Sequence, residues 1–181
     1  MELLATRPRT RAELATALRR RGVAEDVATD LLDRYDEVGI VDDGAFARAW
    51  VTSRHHSRGL AKRALASELR QRGVDSDKVS EALDQLDPQT EESTARDLVA
   101  RKLRTMSSKS QPDQILRRLV GMLARKGYPP GLAFRVVKEA LAESGGLSEF
   151  ADHIDADALA EAAESAEAAE SAETAETTAD R

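Results

Sequence analysis

The 181-residue chain contains no cysteine, which removes disulfides, thiolate nucleophiles and thiolate metal ligands and suits a reducing compartment. Rings are nearly as scarce: three Phe, two Tyr and one Trp, 3% in all. The core must therefore be aliphatic. Ala, Leu, Glu, Arg and Lys dominate, all good helix formers, while the β-branched and aromatic residues that favour strands are few. No apolar run approaches the roughly 20 residues of a bilayer span, and the opening MELLATRPRT lacks the apolar centre of a secretory signal. These absences predict a soluble, cytoplasmic, all-α protein with no membrane contact.

What is present is charge, unevenly placed. The net charge of -6 divides into +3 over residues 1–150 and -9 over residues 151–181, where one Arg stands against ten acids. Residues 44–72 carry seven basic side chains and one acid, and residues 93–138 carry eleven and two. Each basic stretch is a candidate polyanion-binding surface. The C-terminal run of Ala, Glu, Ser and Thr has no sustained apolar stripe to offset ordering entropy, so disorder is expected from about Ala160 onward. Its negative charge is expected to fold back over the basic segments and weaken nonspecific DNA binding.

Three segments share one pattern, beginning at Glu13, Ala64 and Arg118. Each has two leucines four apart (Leu14 and Leu18, Leu65 and Leu69, Leu119 and Leu123). Basic residues follow, then a glycine (Gly22, Gly73, Gly127), an apolar residue (Val23, Val74, Tyr128) and a second helical run. The glycine supplies a left-handed residue that ends a helix, and the apolar residue after it packs back. Thr10 and Glu13 have capping-box spacing, with Ser110 and Asp113 offering a similar start; Asp75 suits an N-cap, and Pro129 and Pro130 suit a helix opening. Pairs this short need a third helix to close a core, sought in Gly44–His56 and Thr90–Leu103. The expected architecture is a tandem array of three-helix modules at 1–56, 57–108 and 109–150, followed by an acidic tail at 151–181.

The adjacent carboxylates of GIVDDGAFARAW, Asp42 and Asp43, are the only residues that suggest an acid–base pair. Asp42 stands where an N-cap belongs and Asp43 in the first turn, which the helix dipole favours. No partner with a matched pKa is in view. His55 and His56 point about 100° apart on a helix and cannot easily share a metal, so a solvated or phosphate-facing role is expected for them. No nucleophile–base pair, metal cluster or phosphate-cradling loop emerges. The chain reads as a nonenzyme without cofactor or metal.

Within RHHSRGLAKRALASELRQR the cations Arg54, Arg58, Lys62, Arg63, Arg70 and Arg72 face only Glu68, so local i,i+4 pairing is largely missing. Such charge is paired from another module or left for a partner. Phosphate contacts made this way would position nucleic acid without reading its sequence.

The run GIVDDGAFARAWVTSR, followed by SRGLAKRALASELRQRGVDSDKVSEAL, resembles the signature of the RecX regulatory proteins: an acidic pair, Phe-Ala, Arg, then Arg-Gly opening a helix with Glu-Leu and a basic-Gly-Val ending. LLATRPRTRAELATALRRRGV is similar to that family's first module, and the likeness extends to about residue 145. The matching positions are Asp42, Asp43, Phe46, Arg54, Arg58, Gly59, Glu68, Leu69, Gly73 and Val74. Of these, Phe46, Leu69 and Val74 read as core, and Gly59 and Gly73 as backbone positions. The resemblance implies an all-helical, elongated and curved array of three modules. It further implies a monomeric regulator that binds the RecA recombinase and its filament on single-stranded DNA, suppressing ATP hydrolysis, filament growth and strand exchange in recombination and repair, with no catalytic residues. Contact then falls to Arg54, Arg58, Lys62, Arg63, Arg70 and Arg72. The other reading of the same charge is a nonspecific DNA-binding protein that competes for strands. Two features depart from the family pattern: little precedes Leu3 and Leu4, so the first module is trimmed or starts upstream, and the acidic tail is additional.

Overall fold

The computed structural model describes residues 8–106 and 112–143. Eight helices and no strands occur among them: α1 (Arg11–Arg20), α2 (Glu25–Glu37), α3 (Asp43–Arg58), α4 (Lys62–Gln71), α5 (Ser76–Asp84), α6 (Pro88–Arg104), α7 (Pro112–Arg125) and α8 (Pro130–Glu143). The acidic tail and Ser110 lie outside the described residues.

Local chemistry sets the boundaries. At α1 the Thr10 hydroxyl accepts from the Glu13 amide while the Glu13 carboxylate accepts from the Thr10 amide, so two otherwise unpaired donors are satisfied. Asp42 accepts from the Ala45 amide at 2.8 Å and opens α3; Asp75 accepts from the Asp77 amide at 2.9 Å and opens α5. The helix stop recurs three times with one geometry. Val23, Val74 and Tyr128 donate their amides to the carbonyls of Leu18, Leu69 and Leu123, five residues back, and the preceding glycines bond to Arg19, Arg70 and Ala124. This is the paired bonding of a Schellman ending.

Two compact units result. The first comprises residues up to Arg58 together with Ala64–Asp87. Leu14, Leu32 and Val41 form one buried cluster in it, with Leu18 and Tyr35 packed alongside; Phe46, Val51, Leu65, Leu69, Val74 and Val79 are also buried. The helix sought as Gly44–His56 is α3, and its most extensive packing is with α5. The long helix therefore precedes the pair it covers. His55 lies on the buried side of α3 at 8% exposure, which corrects the expectation that both histidines are solvated. Consecutive residues diverge by about 100° on a helix, and only His56 is turned outward.

The second unit comprises Gly59–Arg63 and the described residues from Pro88 onward. Here α6 packs against α8, and α7 against both, around Ala95, Val99, Leu119, Leu123, Val136 and Val137. The short segment Gly59–Arg63 is tied in by three bonds. Tyr128 donates its hydroxyl to the Gly59 carbonyl at 3.1 Å, Ala61 donates to the Lys126 carbonyl at 2.8 Å, and the Lys62 amide donates to the buried Glu91 carboxylate at 2.8 Å. Burial, with the Glu91 charge adding to it, pushes the Tyr128 phenol well above its ordinary pKa, so it remains a donor.

Candidate partner interface

The cations singled out from sequence occupy three different settings. Trp50, one turn after Phe46 and one turn before Arg54 on α3, organises the first. Its ring stacks on Phe46 with centroids 5.5 Å apart, and the guanidiniums of Arg54 and Arg72 lie over it at 4.1 Å and 3.9 Å. The indole N–H donates to Glu68 on α4 at 2.8 Å. The same carboxylate sits 3.8 Å from both Arg54 and Arg58. One acid thus serves three groups from the neighbouring helix, which i,i+4 counting along a single helix does not detect.

Exposure separates the cations further. The Arg54 and Arg72 side chains are 28% and 29% exposed, and Arg72 also pairs with Glu13 at 2.5 Å, across 59 residues of sequence. These two side chains hold the first unit together as well as facing solvent. Arg58, at 58%, is mostly in water. Arg63 is exposed, and Lys62 is partly covered; both belong to the second unit.

Arg70 takes a third setting. With Arg72 it lines a concavity of about 560 Å³ that also receives Arg9, Arg20 and Arg21, with Glu13 as its one acid. The sequence reading did not select those three arginines. Arg19–Arg20–Arg21–Gly22 repeats the register of Arg70–Gln71–Arg72–Gly73, so aligning the modules residue by residue points to one of them, Arg21, as the counterpart of Arg72, while Arg20 matches Gln71, which also lines the concavity. The two acids of the opening motif are structural: Asp42 caps α3, and Asp43, 7% exposed, accepts from the Arg11 amide at 2.8 Å and fastens α3 to the start of α1. Among the described residues no group of three or more His, Asp and Glu could hold a metal ion.

The Glu68 hub can be tested directly. Glu68→Ala removes the acceptor of a half-buried indole N–H and one charge-assisted partner, an expected loss of about 1–2 kcal/mol in urea unfolding. Trp50 is the sole tryptophan, so its emission should shift to the red as the ring loosens. An unshifted spectrum would mean that Phe46 and Arg72 fix the ring without Glu68.

Comparison with known proteins covers the body of the chain. Family models described as the first, second and third three-helix domains of RecX match residues 1–34, 42–83 and 90–137. The regulatory protein RecX of Streptomyces coelicolor is 57% identical over 145 residues, covering 80% of this chain and 77% of that one. Its counterpart in Thermobifida fusca is 56% identical over 146 residues, covering 80% and 78%. A crystal structure of RecX from Lactobacillus salivarius superposes with a TM-score of 0.69 at 19% identity, covering 76% of this chain and 89% of that one, a likeness of fold. Three matched domains in order and identity above half across most of the chain place it: this protein belongs to the RecX family of regulatory proteins.

Proposed function

We propose that the protein is a nonenzymatic regulator that binds the RecA recombinase and its nucleoprotein filament, lowering ATP hydrolysis, filament growth and strand exchange in recombination and repair. Family membership across all three domains carries this reading. Arg54, Arg58, Lys62, Arg63, Arg70 and Arg72 are the contact residues we assign. Several weak contacts from linked modules then add through effective concentration rather than through one strong site. Holding neighbouring protomers in one arrangement blocks both turnover and the addition of further protomers.

The test is DNA-stimulated ATP hydrolysis by the cognate recombinase on preformed single-strand filaments, with this protein added well below the number of DNA sites. Inhibition at that level identifies the filament as target. Inhibition only at DNA saturation, with affinity falling at a log–log salt slope near -0.7 per neutralised phosphate, would favour strand competition instead.

Replacing Arg58, Lys62, Arg63 and Arg70 together with Ala should raise the inhibitory concentration by about tenfold or more. Four contacts, three of them from exposed side chains and one from the partly covered Lys62, worth up to about 1 kcal/mol each together exceed the 1.4 kcal/mol that a factor of ten requires. Arg54 and Arg72 are left in place because both stack on Trp50. Unchanged inhibition by a normally melting variant would remove these side chains from the interface.

A further inference from the structure

We propose that the arginine-lined concavity of the first unit is a docking site for carboxylates of the protein's own C-terminal run, residues 160–177. The concavity presents five guanidiniums and one carboxylate. Glu13 is taken by Arg72, whereas Arg9, Arg20, Arg21 and Arg70 have no ion-pair partner among the described residues. The Nε of Arg9 is buried without a hydrogen-bond partner. A buried donor left unpaired costs about 1–3 kcal/mol, so the Arg9 side chain gains by turning its guanidinium toward an acceptor.

The counter-argument is that arginines at helix ends merely offset the macrodipole. Two helix C-termini meet the concavity, α1 near Arg20 and α4 near Arg70. Each contributes about half a negative charge, which leaves roughly +3 of the formal +4. The excess is far more than the helices use.

The lining bears on which anion fits. Alanines and Gly73 form part of the wall and no aromatic ring is present, so the aromatic platform on which successive bases usually stack is missing, while a polypeptide main chain can approach closely. Guanidinium forks bind carboxylates and phosphates alike in paired fashion, so the choice of a carboxylate rests on the segment the chain itself supplies. The chain carries a matching segment: Glu161, Glu164, Glu167, Glu170, Glu173 and Glu176, each preceded by Ala. On an α-helix six residues spaced by three wind nearly all the way round, whereas in a three-residue turn they fall on one side, about 9 Å apart. No cation occurs between Glu143 and Arg181 to neutralise them. The 17 residues between Glu143 and Glu161 span up to about 60 Å when extended, and tethering gives the run an effective concentration in the millimolar range.

Arg70 and Arg72 then answer to two anions, the tail and any outside partner, and the tail lowers access for the second. Docking itself does not depend on the filament reading. Because the chain has no cysteine, Ser165→Cys accepts a single nitroxide label on the full-length protein. At low salt the amide signals of Thr16–Arg21 and Arg70–Gly73 should lose most of their intensity. They should regain it at 1 M salt, where the Debye length is about 3 Å. In Arg20→Gln/Arg21→Gln/Arg70→Gln the low-salt loss should vanish with melting unchanged. Should that variant unfold, the six Glu→Gln changes in the run test the same contact from the other side, restoring the signals with every arginine of the concavity in place. Unbroadened signals, or equal broadening at Lys102–Arg104 and Arg118, would overturn the proposal. So would displacement of the label by single-stranded DNA at a site other than these arginines.

Discussion

Phe46→Ala should lower the free energy of unfolding by about 3–5 kcal/mol. The ring is 9% exposed in a protein with three phenylalanines, so aliphatic neighbours surround it. Its removal takes away both transferred area and the stacking partner of Trp50 at 5.5 Å. Trp50 is half-buried with two guanidiniums over it, and the cavity cannot be filled without pulling Arg54 and Arg72 off the ring. Phe46→Leu, which keeps most of the volume, should cost less than about 1.5 kcal/mol. At about 2–4 °C per kcal/mol for a chain of this size, the alanine variant should melt some 6–20 °C lower. An unaltered midpoint would mean that the ring does not pack between α3 and its neighbours.

That result would bear on the interface as well, because the same ring stack positions Arg54 and Arg72. Loss of inhibition in Phe46→Ala at a temperature where the variant remains folded would connect packing to contact geometry. Full inhibition would assign the contact to Arg58, Lys62, Arg63 and Arg70, none of which is among the guanidiniums stacked on Trp50.

Much of the fold was legible because its determinants act over a few residues. The Thr10–Glu13 box, the Asp42 and Asp75 caps, and the glycine stops at 22, 73 and 127 all appear where the sequence places them. Phe46, Leu69 and Val74 are buried as periodicity predicts. The interface was less legible. Glu68 reaches Trp50, Arg54 and Arg58 from another helix, and Glu13 reaches Arg72 across 59 residues. Sequence reasoning counts cations and acids along a helix, and it recorded a surplus that cross-helix pairing partly consumes. Asp43 shows the same limit: a first-turn acid was expected to serve the dipole, and it accepts the Arg11 amide. The position of α3 ahead of its pair is likewise invisible to periodicity, which gives the face a helix buries and not the helix that covers it.

Gly73→Ala should cost about 2–5 kcal/mol, and Gly22→Ala only about 1–2 kcal/mol, although both glycines end helices in the same way. Gly22 has φ +80° and Gly73 φ +77°, so each substitution incurs the left-handed penalty of about 1–2 kcal/mol for a residue with a side chain. The surroundings differ. A methyl at Gly22 meets nothing within 4 Å, whereas one at Gly73 would lie 2.4 Å from the Cβ of Ala12 on α1. That neighbour is itself a methyl with no torsion to swing it away, so α1 must shift. Overpacking of this kind adds about 1–3 kcal/mol. Ala12→Gly should relieve it at its own helix cost of about 0.5–1 kcal/mol, so the pair should be coupled by more than about 1 kcal/mol in a double-mutant cycle. Thr10 fixes the same approach by donating its hydroxyl to the Arg72 carbonyl at 2.6 Å. Ala12 and Gly73 also line the arginine concavity, so the folded fraction of Gly73→Ala should show weaker tail docking than Gly22→Ala. Equal costs for the two alanines, with no coupling to Ala12, would separate α1 from the α4–α5 turn and leave the concavity without its wall.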